Sequence, residues 1–230
     1  TLETAAAPLR ARHRSFVISR GGRLVEPLEH EGSRHIKLPI GNKRPWTLRH
    51  IATLRRIFDT LEPDVAHARS RLPAWLAWLA MRRMPLPPRF ITTVHGLNSP
   101  GRYSGILLRG ERVICVSETV RQWVAQHYAG VEPDKLVVVP RGVDPAAFPR
   151  GHRPSAEWRA MIERQHPALA GVPLLLLPAR GTRLKNHVDA IEVLARLREA
   201  HGIEAGLWLL GARDPGRESY VAELEALAAK

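Results

Sequence analysis

Pro178-Ala179-Arg180-Gly181-Thr182-Arg183-Leu184-Lys185-Asn186-His187 follows directly on the apolar run Leu174 to Leu177. A short apolar run, a glycine-containing turn and then a helical pattern read as strand, loop and helix. That junction sets backbone N–H groups and a helix N-terminus at the carboxyl end of a strand, where phosphates bind. Arg180 and Lys185 add two side-chain cations at the same place. The stretch matches neither GxxxxGK[ST] nor GxGxxG. The anion expected here is therefore held by Arg and Lys as well as by backbone.

On either side the same rhythm continues. Strands are expected at Ser15–Ser19, His35–Leu38, Asp64–His67, Phe90–His95, Arg112–Ser117, Lys135–Val139, Leu174–Leu177 and Gly206–Leu210. Helical patterns lie between them at Thr1–Arg12, Leu24–Glu31, Leu48–Leu61, Pro73–Met84, Glu118–Ala129, Leu184–His201 and Arg217–Ala229. Strands separated by single helices imply right-handed crossovers and an α/β fold of parallel sheets covered on both faces. The stretch from Pro140 to Val172 breaks the rhythm with repeated Pro and Gly and holds one short helix, about Ala156–Gln165. It reads as a linker. The organisation expected is thus residues 1–144 as one domain, 145–172 as linker and 173–230 as the first part of a second. Two strands are too few for a stable doubly wound sheet, and the first domain opens on a helix. The chain is therefore expected to be an internal segment, cut at both ends, with its first domain lacking an opening strand.

At 230 residues and 44% hydrophobic the chain can bury a real core. It has no run of 18 apolar residues, so no membrane span is expected. Its first residues lack the basic and apolar regions of a signal peptide. The single cysteine, Cys115, sits in the strand-like run Val113–Val116, which excludes a disulfide framework and fits a buried thiol in a reducing, cytoplasmic setting. A net charge of +13 points to anionic partners. An Arg-rich genome is an equally good source of it, so charge alone selects no partner.

Polar residues gather at the strand ends, where open parallel sheets bind ligands. His67, Arg69 and Arg71 follow one strand, and His95 with Gly96 ends the next. Ser117 and Glu118 end a third, and Arg141, Gly142 and Asp144 follow a fourth. Arg102 and Tyr103 lie in the long loop after His95, a position that often touches ligand. Each has a plainer reading beside this one. A lone strand-end His is more often a structural hydrogen-bonder. Ser117 suits a helix N-cap and Glu118 first-turn charge. Arg69 and Arg71 suit solvated surface, and Arg102 and Tyr103 an ordinary loop. Trp75 and Trp78, at helical spacing, suit core. His67 and His95 lack the spacing of metal ligands, which rejects a zinc site. No catalytic triad or carboxylate pair can be argued from the linear order.

The ordered set VAHARSR, TTVHGLNSPGRYS, RVICVSE, VVVPRGVDPAAF, LLLPARGTRLKNH and LWLLG resembles the family-four retaining glycosyltransferases of the GT-B fold. The likeness is strongest to bacterial members acting on lipopolysaccharide or other surface glycans, and covers nearly the whole chain. It implies two Rossmann-like domains facing each other, the first binding mainly the acceptor and the second the nucleotide-sugar. It implies that Arg180 and Lys185 grip the donor diphosphate, which makes physical sense where leaving-group charge is neutralised with no metal. It implies that His95 approaches the donor sugar, and that Arg141, Gly142 and Asp144 form the entry to the linker. The other strand-end residues become candidate donor or acceptor contacts. No cofactor is implied; the nucleotide-sugar is substrate and the acceptor a glycan or lipid-linked glycan.

Two departures stand out, Asn186 where the family usually has Gly and Leu184 where an aromatic is frequent. The Gly-rich loop expected at the start and the Glu pair expected late in the second domain lie outside the chain. The segment is therefore expected to be inactive by itself. A non-transferase relative, such as a sugar-nucleotide epimerase, would share the phosphate grip. A basic nucleic-acid-binding module is disfavoured, because no recognition motif accompanies the charge. The clusters Lys43-Arg44, Arg55-Arg56 and Arg82-Arg83 suit docking to an anionic membrane surface on its cytoplasmic face.

Overall fold

The structure is a computed structural model and describes residues 2–213 and 215–229. The chain divides into two compact units, one up to Val143 and the other from Asp144 onward.

The first unit runs α1 (Leu2–Arg10), β1 (Phe16–Ser19), α2 (Val25–His30), β2 (Arg34–Lys37), α3 (His50–Leu61), β3 (Val65–Ala68), α4 (Arg71–Met81), β4 (Arg89–Val94), β5 (Arg112–Cys115), α5 (Glu118–His127) and β6 (Leu136–Val138). All its strand pairs are parallel. β1 pairs with β2, and β3, β4, β5 and β6 form a four-stranded sheet in that order. Parallel neighbours cannot be joined by tight hairpins, so each connection crosses over and all four strands of the larger sheet end at one edge. That edge carries His67, Arg69, His95, Ser117 and Arg141.

The core follows from periodicity. In α3, Leu54 and Phe58 are buried four residues apart, and the helix stops at Glu62 in a left-handed conformation (φ 43°). α4 packs on α3 and buries Ala74, Leu76 and Ala80 completely. Trp75 and Trp78 meet edge-on, with ring centroids 5.7 Å apart, and pack against this core. Burying a side chain the size of Leu54, Leu76 or Ile106 stabilises the unit by about 2 kcal/mol each. Gly110 enters β5 through a turn where a Cβ would lie 2.7 Å from the Arg112 carbonyl, so only glycine fits.

The second unit runs α6 (Ala156–Gln165), β7 (Leu174–Leu176), α7 (His187–His201), β8 (Gly206–Trp208) and α8 (Glu218–Ala228), with β7 and β8 parallel. Its buried cluster is small: Ile191, Tyr220 and Leu224. α7 does not begin at Leu184 as its apolar phase suggests. A 3-10 turn at Arg183–Lys185 comes first, and Asn186 then adopts φ 54° before the α-helix opens at His187. A left-handed residue cannot continue an α-helix, and this one separates the two. The same conformation accounts for Asn186 itself. Asn is the side chain best tolerated where glycine would otherwise stand.

Candidate active site

In the first unit the register of the four-stranded sheet brings the strand-end residues together. Ala68 pairs with Thr92, Val94 with Cys115, and Cys115 with Val138. Arg69 therefore leaves the sheet beside Thr93, and His95 leaves it one residue beyond Val94. Arg141, three residues beyond β6, returns to the ring of His95. Its Nη2 donates to His95 Nδ1 at 2.8 Å. A guanidinium has only donors, so Nδ1 bears the lone pair and the ring proton sits on Nε2. Loss of water around the ring, then the charges of Arg69 and Arg141 and the ring of His67, push the His95 pKa down to about 4. At neutral pH His95 is thus an uncharged ring offering one N–H donor from Nε2.

His67 Nε2 lies 2.7 Å from Thr93 Oγ1. Desolvation first, and then Arg69, hold its pKa below the ordinary imidazole value. Arg69 donates to Thr4 Oγ1 at 3.1 Å. Its own pKa is lowered by desolvation and then by Arg141.

Other strand-end residues are occupied by the fold. Arg71 opens α4, donates to Ser104 Oγ at 3.2 Å and lies over the Tyr103 ring at 5.2 Å. Trp75 Nε1 donates to the Tyr103 carbonyl at 3.1 Å, so Arg71 and Trp75 together hold the loop that carries Arg102. Arg102 and Tyr103 are exposed. Ser117 caps α5, its Oγ accepting from Val120 N at 3.2 Å. Glu118 is exposed and pairs with Arg121 at 2.6 Å; that hydrogen bond holds its carboxyl below the ordinary range. Gly142 has open space where a Cβ would stand. Cys115 is buried, which raises its thiol pKa and keeps it protonated.

In the second unit the loop after β7 is fixed from below. A Cβ on Gly181 would lie 2.0 Å from the Ala212 carbonyl oxygen, so that backbone approach requires glycine. Ala179 N donates to the Leu210 carbonyl at 3.0 Å. The fully buried His187 brings Nε2 to 3.4 Å from the Ala179 carbonyl and sets its ring edge-on to Tyr220. His187 is a structural post that sequence reasoning placed only as the last residue of the motif.

The loop's cations divide into two kinds. Arg183 pairs with Glu223 at 2.6 Å and lies over the Tyr220 ring. Arg180 and Lys185 are exposed and, among the described residues, have neither an ion pair nor a side-chain hydrogen bond. Lys185 stands on the 3-10 turn, so the cations precede α7 and lie outside its first turn.

The parallel α/β fold, with cations and polar groups at its strand ends, is shared with solved structures of the GT-B glycosyltransferase fold. One is a glycosyltransferase from Rickettsia africae ESF-5, at 28% identity and a TM-score of 0.79, covering 99% of this chain and 60% of that one. Another is Alr3699/HepE from Anabaena in complex with UDP and glucose, at 17% identity and a TM-score of 0.73, covering 99% and 60%. A third is sucrose-phosphate synthase from Thermosynechococcus elongatus, at 18% identity and a TM-score of 0.69, covering 97% and 61%. The chain spans about 60% of the length of these structures. No curated protein matches it. The model of Glycosyltransferase Family 4 matches residues 1–147. The chain belongs to glycosyltransferase family 4.

Proposed function

We propose that the whole protein transfers a hexosyl or related sugar from a nucleotide-sugar to a glycan or lipid-linked acceptor, with retention at the anomeric carbon, in the synthesis of lipopolysaccharide or another surface polysaccharide. The observation that carries this reading is the pair of cations Arg180 and Lys185, unpartnered among the described residues, on a loop backed closely at Gly181. Two exposed like charges on a rigid loop are a ready counter-charge for a diphosphate. They act most strongly as the sugar–phosphate bond breaks and the leaving group gains charge. His95 supports the reading from the first unit. Neutral and donating from Nε2, it is suited to hold a sugar hydroxyl rather than to remove a proton from the acceptor.

A complex of HepE with UDP and glucose supports a nucleotide-sugar as donor by likeness of fold. The first domain then serves mainly the acceptor and the second the donor. The test is a nucleotide-sugar panel with the whole protein. The product's anomeric configuration is read by NMR; consumption of one donor with retention is expected, and no consumption or an inverted product contradicts the reading.

An anionic membrane surface, on the cytoplasmic face, fits one exposed patch. Trp46 and Leu48 are 53% and 57% exposed, Arg44 lies over the Trp46 ring, and Lys43 and Arg49 flank them. An exposed aromatic with cations suits a headgroup interface. Of the other two clusters, Arg55 is engaged with the Ala80 carbonyl and Arg82 lies over the Trp78 ring, so neither is a free pair of charges. No described helix is long and apolar enough to cross a membrane.

A further inference from the structure

The first unit carries a concentration of positive charge that no ion pair among the described residues balances. Arg69 and Arg141 follow β3 and β6, the outer strands of the four-stranded sheet, at its carboxyl end, and Arg141 reaches back to His95, which follows β4, the strand beside β3. Among the described residues each guanidinium makes one side-chain hydrogen bond, Arg69 to Thr4 Oγ1 and Arg141 to His95 Nδ1, which uses only one of its five donors. Six ion pairs join other cations of the described chain to carboxylates, and none includes Arg69 or Arg141. The rings of His67 and His95 are neutral and bring no negative charge. Two like charges held near each other repel, and such an arrangement is stabilised when a ligand supplies the opposite charge.

We infer that Arg69 and Arg141 form the seat of an anionic group, a phosphoryl or carboxyl group carried by the acceptor. This rests on the glycosyl-transfer reading for the word acceptor, and on the first unit alone for the site. The bound oxygens accept from the free guanidinium donors of both arginines. The Nε2–H of His95, fixed by the Arg141 bond, stays available to the sugar next to them. Substrates of this class are phosphorylated sugars or uronic acids, and a neutral glycan end lacks the group that the two arginines read.

Titration of the 230-residue chain with glucose 6-phosphate, glucuronate, glucose and UDP, followed through the imidazole NMR signals of His67 and His95 at low ionic strength, tests this. Glucose 6-phosphate or glucuronate is expected to shift both signals, with affinity falling about tenfold or more in Arg69→Gln and in Arg141→Gln. Arg69→Lys and Arg141→Lys keep the charge and are expected to recover part of it, which separates lost charge from lost folding. Arg180→Ala with Lys185→Ala is expected to leave this binding unchanged and to weaken UDP.

Equal binding of glucose and glucose 6-phosphate overturns the proposal. So does a fall in UDP affinity in Arg69→Gln equal to that for glucose 6-phosphate, because the anion would then belong to the donor. Sugar-phosphate binding by this chain, together with no transfer from any donor of the panel by the whole protein, overturns the proposed function and leaves the anion site standing.

Discussion

His95 shows how one contact sets the chemistry of a residue. Because Arg141 can only donate, the bond to Nδ1 fixes the tautomer, and loss of water around the ring, followed by the charges of Arg69 and Arg141, keeps it uncharged. The expected imidazole spectrum at pH 6 is that of the neutral Nε2–H form, and Arg141→Ala should raise the pKa from about 4 toward the ordinary value; a cationic ring at pH 6 in the unaltered chain would contradict this. The sign for stability follows. The folded pKa lies below the unfolded value near 6.5, so between the two the unfolded chain binds more protons. His95 therefore costs stability as pH falls from about 6.5 to about 4, and nothing above that window. Thermal melts over this range should show the loss, and Arg141→Ala should lessen it. At the same scale, Arg180 and Arg183 are alike in sequence and different in the fold. The carboxylate of Glu223, forty residues away, and the ring of Tyr220 make Arg183 structural.

At the scale of elements, Asn186 decides where α7 begins. Its left-handed conformation costs an ordinary L-residue about 1 kcal/mol and costs glycine little. Asn186→Ala is expected to destabilise the second unit by about 1 kcal/mol and Asn186→Gly to be neutral or better, as read from denaturant midpoints. Ser117→Ala should cost a similar amount, about 1 kcal/mol, through loss of the α5 cap. Each of the eight strands was legible in sequence as a short run bounded by turn residues, β4 clearest of all, and observed ends differ by at most two residues. The start of α7 was not legible, because Leu184 has the right apolar phase and stands 90% exposed on the 3-10 turn instead. Ser117 as a cap could be read locally, since its partner is three residues on. The Arg141–His95 bond could not, since 46 residues separate the two and only sheet register joins them. The roles of Arg71 and Trp75 in holding the Tyr103 loop were hidden for the same reason.

At the scale of the molecule the two units differ in how much core they own. The first buries aliphatic and aromatic side chains across four strands and α3 to α5, and the second centres on Ile191, Tyr220 and Leu224. Hydrogen exchange is therefore expected to open the second unit first, with β4 and β5 protected longest; simultaneous loss of protection would show one cooperative unit. The patch at Trp46 belongs to this scale as well. Trp46→Ala should weaken sedimentation with vesicles containing anionic lipid, and binding that ignores both Trp46 and lipid charge would argue against a docking role. The central claim is that Arg180 and Lys185 hold the diphosphate of a nucleotide-sugar during transfer. It is tested most directly by kcat/KM of the whole protein and of Lys185→Ala with its preferred donor. A fall of about a hundredfold with an unchanged fold is predicted. An unchanged kcat/KM would contradict the account.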